Sequence, residues 1–411
     1  MNANAAHVIV GASLAGAKAA ETLRAEGFDG PVVLIGEETE RPYERPSLSK
    51  DYLLGKADRE TIYVHPPAWY AEHDVDLRLG VPVTDIDAVA HQVRLEDGSR
   101  VGYAKLLLTT GSTPRRLPVT GAGAGGVLYL RRVGDSDQIK ETFAAASRVA
   151  VIGAGWIGLE TAAAARTAGV EVTVLEAAEL PLLRVLGREA AQVFAGLHRD
   201  HGVDLRFGVQ VALITALGSR VGGVRLAGGT FISADAVIAG IGITPNVRLA
   251  AEAGLQVGDG ITTDARLRTS DPDIYAAGDV ANAYHPLLGK HIRVEHWYNA
   301  LHQPQTAARA MLGQDVAYDR VPYFYTDQYD LSMEYAGYVE PGGYDQVVFR
   351  GDVQRREFIA FWLTRGRVLA GMNVNLFGVN DTIQAIVRGG RAVDPGRLAD
   401  PDIPLEEFLG D

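Results

Sequence analysis

Gly153, Gly155 and Gly158 stand in the spacing G-x-G-x-x-G, directly after the apolar run Val149–Ile152 and ahead of the Ala-rich segment Thr161–Ala168. That order predicts strand, tight turn, helix. The first glycine makes the turn, the second lets a pyrophosphate approach the backbone, and the third lets helix and strand pack closely. Phosphate oxygens then lie on the N–H groups and positive end of the helix. A further apolar run, Val170–Leu175, ends in Glu176. An acid at that strand end can accept hydrogen bonds from the hydroxyls of an adenosine ribose. The chemistry these residues offer is the holding of a dinucleotide.

The same constellation occurs nearer the start. His7–Val10 is apolar and runs into Gly11-Ala-Ser-Leu-Ala-Gly16, followed by the helix-like Ala17–Glu26. Ser13 takes the place of the second glycine and is small enough to keep a close backbone approach. Val32–Ile35 reads as the next strand, with Glu37 just past its end as the counterpart of Glu176. Two dinucleotides, one per copy, is the economical inference.

Little else in the chain carries a reaction. It has no Cys, hence no disulfide, no zinc thiolate and no thiol nucleophile. Its ten His show no metal-ligand spacing, and neither a Ser-His-Asp arrangement nor a Gly-Lys-Ser/Thr phosphate loop stands out. The formal charge of −12 argues against nucleic-acid binding. No segment reaches transmembrane length. The first strand begins near His7, so no signal peptide is expected and a cytoplasmic setting follows.

The elements that position the two loops also repeat. After the first comes Asp85–Leu108, a β-meander with an Asp97-Gly98 turn, closing in Leu106-Leu-Leu-Thr-Thr-Gly111. After the second, Asp204–Ile241 repeats the scheme and closes before Gly242. Length suits two to three domains. The fold expected is α/β: two Rossmann-type dinucleotide-binding domains with inserted β-meanders, plus a small α+β C-terminal domain of three to five strands. In that last domain Gln346–Arg350 and Phe358–Leu363 read as strands and Thr382–Val387 as a helix ending at Gly389-Gly390. Arg41-Pro-Tyr-Glu-Arg-Pro-Ser-Leu-Ser-Lys50 carries cations that suit either an anionic ligand or a solvated loop. Gly278-Asp279 ends a short strand, Ile274–Ala277, where the carboxylate can accept from a polyol or cap a helix. Tyr298–Leu312 reads as a helix.

Taken in order, the motifs resemble a known family. They are Gly11-x-Ser-x-x-Gly16, Arg45-Pro-Ser-Leu-Ser-Lys50, Thr110-Gly111, Gly153-x-Gly-x-x-Gly158-Leu-Glu160, Tyr275-Ala-Ala-Gly-Asp279 and Pro322-Tyr-Phe-Tyr-Thr-Asp-Gln-Tyr-Asp330. The set is similar to the FAD-containing, NADH-dependent ferredoxin or rubredoxin reductases of bacterial oxygenase and cytochrome P450 systems. The resemblance implies an FAD-binding domain in two segments, 1–113 and 243–318, an NADH-binding domain at 114–242, and a C-terminal interface domain at 319–411. It places FAD on Gly11, Ser13, Leu14, Ala15, Gly16, Glu37, Arg45, Lys50, Val83, Thr110, Gly111, Arg131, Gly278, Asp279 and Trp297. It places NADH on Gly153, Gly155, Trp156, Ile157, Gly158, Glu160, Glu176, Arg184 and Gly242.

Lys50 and Glu160 match a pair beside flavin N5 in that family and are the catalytic candidates. No metal is implied. Tyr325 departs from the Trp usual at its position. The implied activity passes electrons from NADH through the flavin to an iron–sulfur ferredoxin or rubredoxin. Lys290, Arg293 and Tyr325 are candidate docking residues for that partner, with ordinary solvated charges as the alternative for the two cations. The same fold also serves flavin NADH oxidases and monodehydroascorbate-type reductases, and redox-sensing flavoproteins of the apoptosis-inducing-factor type.

Overall fold

The computed structural model describes residues 6–409, so the extreme ends of the first and last expected domains lie outside the described residues. The chain forms two compact units, each described by itself. Unit 1 comprises the chain up to Glu44 with Arg59–Thr113 and Thr244–Pro322, and unit 2 comprises Arg45–Asp58, Pro114–Ile243 and the chain from Tyr323 onward.

Unit 1 is built on a five-stranded sheet in the order Ile274–Ala276, Lys105–Leu108, His7–Val10, Val32–Ile35, Val75–Arg78. All neighbours are parallel. A parallel sheet covered on both faces needs continuous apolar runs rather than alternation, and His7–Val10 and Val32–Ile35 are buried throughout. Successive residues serve opposite faces. Ile9, Leu34 and Leu107 pack with Leu23 and Met311 from the helices Leu14–Ala25 and Trp297–Met311. Val8, Val10, Ile35, Leu106 and Leu108 pack with Val83, Val93 and Leu95 from the antiparallel meander Val83–Asp87, Gln92–Leu95, Arg100–Gly102. Gly98, in the expected turn, has φ +84°. A four-stranded sheet, Val257–Gly258, Gly260–Thr263, Ala281–His285 and Lys290–Ile292, completes the unit.

Unit 2 repeats the plan. Its parallel sheet runs Val127–Leu128, Ala236–Ala239, Arg148–Ile152, Glu171–Leu175, Asp204–Arg206. The helices Val133–Ala145, Trp156–Thr167 and Leu183–Asp200 and the meander Val211–Leu217, Arg220–Leu226, Phe231–Ser233 accompany it. The two sheets share one order and differ in the source of the outermost strand. In unit 1 it arrives long after the glycine loop, and in unit 2 it precedes the loop.

Unit 2 also holds a five-stranded antiparallel sheet in the order Tyr323–Gln328, Leu331–Gly337, Arg367–Val374, Glu357–Thr364, Gln346–Asp352. Two of those strands cover the expected Gln346–Arg350 and Phe358–Leu363. The helix Asn380–Gly389 follows and stops at Gly390, whose φ of +59° ends it in a left-handed cap.

Candidate functional site

The two glycine loops are built alike, and the build explains their residues. Gly11 has φ +121° and a Cβ there would lie 2.2 Å from the Thr109 carbonyl oxygen. Gly153 has φ +97° and a Cβ would lie 2.4 Å from the Gly240 carbonyl oxygen. The third glycines are equally closed: a Cβ on Gly16 or Gly158 would meet the carbonyl oxygen of Gly11 or Gly153 at 2.2 or 2.0 Å. The second position differs. A Cβ on Gly155 meets nothing within 4 Å among the described residues. Open space there accounts for Ser13 at the matching position of unit 1.

Ser13 and Gly155 are the N-caps of the helices Leu14–Ala25 and Trp156–Thr167, and neither helix receives a side-chain cap among the described residues. Each helix is thus capped by a small residue and takes no side-chain bond at that cap, a build that leaves first-turn amides for an anion cradle.

The acids differ more. Glu37 is exposed beyond Val32–Ile35. Glu176 is half-buried and its carboxylate accepts from the Ala154 amide at 2.7 Å and the Ala178 amide at 2.8 Å. The first of these bonds ties the acid to the glycine loop itself.

In unit 1 the Thr110 hydroxyl donates to the Asn246 carbonyl, and Gly111 has φ +63°. Ser112 Oγ donates to Asp279 Oδ2 at 3.0 Å, and the Gly278 amide donates to Gln303 at 2.9 Å. Trp297 opens its helix, with its indole N–H donating to Glu44 at 3.2 Å. Burial pushes the Glu44 carboxyl up. Beside Asp279, His296 is lowered to about 4 by desolvation, which the carboxylate only partly offsets.

In unit 2 Lys50 and Glu160 form an ion pair, Nζ to Oε1 2.8 Å, with side chains 13% and 3% exposed. Ser49 Oγ donates to the other carboxylate oxygen at 2.5 Å, and Thr326 Oγ1 donates to Oε1 at 2.6 Å. The Tyr325 ring lies 5.4 Å from the Lys50 ammonium. Arg45 donates to the Arg131 carbonyl at 2.5 Å, and Ser136 to the Leu48 carbonyl at 2.8 Å, which fixes the segment carrying Lys50 on the helix Val133–Ala145. Trp156 packs edge-on to Phe194 and tilted against Phe324.

Comparison with known proteins identifies the fold. Residues 5–304 match the family described as pyridine nucleotide-disulphide oxidoreductase, and residues 323–409 match that described as reductase C-terminal. The chain belongs to the pyridine nucleotide-disulphide oxidoreductases. Over 405 residues, 98% of both chains, it is 41% identical to the ferredoxin–NAD(+) reductase component of the anthranilate 1,2-dioxygenase system of Burkholderia cepacia. It is 40% identical to rhodocoxin reductase of Rhodococcus erythropolis, over 97% of this chain and 93% of that one. The reductase in the crystal structure of the covalent putidaredoxin reductase–putidaredoxin complex is 39% identical and superposes with a TM-score of 0.95, covering 99% of this chain and 98% of that one. Within the family the chain is thus an FAD- and NAD-binding oxidoreductase of the ferredoxin reductase group.

The two cradles fit the two dinucleotides of such an oxidoreductase. The expected FAD residues fall in both units: Gly11–Gly16, Glu37, Val83, Thr110, Gly111, Gly278, Asp279 and Trp297 in unit 1, Arg45, Lys50 and Arg131 in unit 2. Val83 is a member of the unit 1 core. The expected NADH residues all lie in unit 2, where Ile157 and Arg184 are exposed and Gly242 has φ +99°.

One expectation is corrected. Arg293 is no steering cation, because its side chain is 8% exposed and its charge is met by Asp259 at 2.9 Å and by Glu295. Sequence reasoning does not reach Ser49, Glu44, Ser112, His296, Thr326, Gln328 or His198. For Thr326 and Gln328 the signal exists. They alternate with Tyr325 and Asp327 on the buried face of a strand, and a buried polar residue is the informative exception.

Among the described residues no helix is long and apolar enough to cross a membrane, and no group of three or more His, Asp or Glu is placed to hold a metal ion.

Proposed function

We propose that this oxidoreductase passes electrons from NADH through FAD to a small iron–sulfur ferredoxin or rubredoxin that serves a P450 or oxygenase, and that it works in the cytoplasm. One observation carries the reading: two anion cradles of the same build occur in a chain without a Cys. With no thiol pair in the chain to receive electrons, the acceptor is external. When bound, FAD would supply hydride acceptance from a reduced nicotinamide and release of electrons one at a time.

The chain's own residues bind and orient. Gly11–Gly16 and the amides of Leu14–Gly16 hold the FAD pyrophosphate, Glu37 its ribose, and Asp279, steadied by Ser112, the ribityl chain. Trp297, held by Glu44, stands at the start of a helix whose positive end favours negative charge. Gly153–Gly158 and Glu176 hold NADH, and Lys50 supplies a cation fixed in place by Glu160. The FAD domain is assigned to 1–113 and 243–318, the NADH domain to 114–242 and the interface domain to 319–411.

Glu176 predicts the choice of nucleotide. Its carboxylate is held beside the loop, accepts from ribose hydroxyls and repels a 2′-phosphate. Ala177 and Ala178 offer no cation in return. NADH is expected to exceed NADPH in kcat/KM by at least about tenfold, or about 1.4 kcal/mol. Equal values for the two nucleotides refute the assignment of Glu176.

The partner is tested by ferredoxin-dependent cytochrome c reduction across a salt series, with Lys290→Glu alongside. An acidic partner steered by Lys290 gives the variant a ferredoxin KM raised about three- to tenfold at low salt, converging with wild type at high salt, while ferricyanide reduction by NADH stays normal. If ferredoxins of several types add nothing to the rate of the flavin alone, the small-molecule reductase reading takes the place of this one.

A further inference from the structure

Glu160 is the end of a longer line of buried polar groups. Glu160, Thr326, Gln328 and His198 are 4%, 1%, 1% and 0% exposed. Thr326 Oγ1 donates to Glu160 Oε1 at 2.6 Å, and Gln328 Nε2 donates to Thr326 Oγ1 at 3.2 Å. Gln328 Oε1 faces His198 Nε2 at 2.8 Å, and the Tyr329 hydroxyl faces His198 Nδ1 at 3.5 Å. The helix Leu183–Asp200, the strand Tyr323–Gln328 and the helix carrying Glu160 are joined by this line.

The direction of every bond follows from the carboxylate. The threonine's single proton is spent on Glu160, so the glutamine must donate to the threonine oxygen. Its carbonyl oxygen is then left to accept, and His198 must supply the Nε2 proton. An Nε2 proton fits the cation and one neutral tautomer alike, and burial chooses between them: it lowers His198 to about 4 against a smaller opposing effect of Gln328, which leaves the neutral form with its Nδ1 lone pair toward the tyrosine hydroxyl.

The far end of the line is held under strain. Tyr329 has φ +56°, a conformation that favours glycine or asparagine, and its ring is stacked on His201 at 3.7 Å. A turn that needed only to reverse the chain would not require tyrosine there. Four polar side chains withdrawn from water are worth keeping only when each is satisfied, and a satisfied network fixes one geometry.

We propose that Thr326, Gln328 and His198 are positioning residues for Glu160: a one-way hydrogen-bond relay, anchored on a buried imidazole, that fixes the carboxylate and through it the Lys50 ammonium. The proposal rests on the reading above that this pair serves hydride transfer from NADH.

The test uses the FAD-loaded enzyme. Thr326→Val keeps the shape of the side chain and removes the hydroxyl, while Thr326→Ser restores it. In stopped flow, reduction of the flavin by NADH is expected to slow about five- to twentyfold in Thr326→Val and in Gln328→Leu, with NADH affinity within about twofold, and to recover in Thr326→Ser. In a Lys50→Ala background Thr326→Val adds no further loss, because the relay acts through that lysine. A second readout needs no turnover. Nitrogen-15 spectra of the histidine side chains show His198 as the neutral Nε2–H tautomer, and Gln328→Leu abolishes that fixed tautomer. Should Gln328→Leu not fold, the Thr326 pair carries the test.

A wild-type reduction rate in Thr326→Val beside a slow Lys50→Ala overturns the relay alone. So does an equal loss in both backgrounds, which marks a merely structural lesion. An unchanged rate in Lys50→Ala overturns the reading of the ion pair itself and the relay's role with it.

Discussion

Lys50→Ala is expected to slow the reduction of bound flavin by NADH about a hundredfold, the order of loss that follows when a positioned group is removed from a reacting centre. The reason lies in what the variant leaves behind. The Glu160 side chain is 3% exposed, and Lys50 is the cation paired with it in the structure. Ser49 and Thr326 still donate to the carboxylate after the substitution, but the positive charge paired with the buried negative one is gone. Breaking one half of such a pair destabilises by about 3–5 kcal/mol, more than the pair itself contributes. Unit 2 is therefore also expected to melt earlier.

The two losses separate in a double variant. Lys50→Met with Glu160→Gln removes both charges and keeps the volumes. It recovers most of the stability, because replacing both partners is far less damaging than orphaning one. The rate stays low, because the fixed cation is still missing. Stopped-flow reduction and thermal melting, run on both variants, check each half. An unchanged reduction rate and an unchanged flavin potential in Lys50→Ala refute the role given to the pair.

That pair also marks how far the sequence could be read. The glycine loops were legible because their constraint is local. Gly11 and Gly153 must take positive φ within a few residues of a strand end, and only glycine does so cheaply. The stop of the last long helix at Gly390 was legible for the same reason. Lys50 and Glu160 were reached through a resemblance of motifs and not by any local rule, since 110 residues separate them in the sequence numbering.

The relay behind them was not reached at all. Thr326 stands 166 positions from the carboxylate it serves, and no periodicity reports such a bond. On the strand Tyr323–Gln328 the sequence offers Tyr325 as a docking candidate, while the polar residues after it, Thr326 and Gln328, are the buried ones. The outermost strand of the unit 2 sheet escaped for a plainer reason. Val127–Leu128 is two residues long, too short for any pattern, and it is a strand only because Ala236–Ala239 lies beside it. Arg293 looks available in the sequence of an acidic chain, and only the fold brings its partners, Asp259 and Glu295, to it.

Gly11→Val is expected to give protein without flavin, or no folded protein. A Cβ at this position lies 2.2 Å from the Thr109 carbonyl oxygen and 2.5 Å from its carbon, which are backbone atoms that no rotamer change can move. Those atoms directly follow the strand Lys105–Leu108, which pairs in register with His7–Val10 at the centre of the unit 1 sheet. Relief of the clash must pry the two central strands apart at the end where the cradle sits. The φ of +121° adds a second penalty for a β-branched residue. Together these exceed about 4 kcal/mol, the range of core overpacking combined with backbone strain. A control isolates the two effects. Gly27 has φ +81°, and a Cβ there meets nothing within 4 Å among the described residues. Gly27→Ala is expected to lose only about 1 kcal/mol and to keep its full flavin content, because strain without a clash leaves the sheet closed. Flavin absorbance per chain and thermal melting on both variants decide the matter. A yellow Gly11→Val protein with full FAD content removes this loop from the flavin site, and an equally flavin-free Gly27→Ala protein would trace the loss to helix-end strain and not to the cradle.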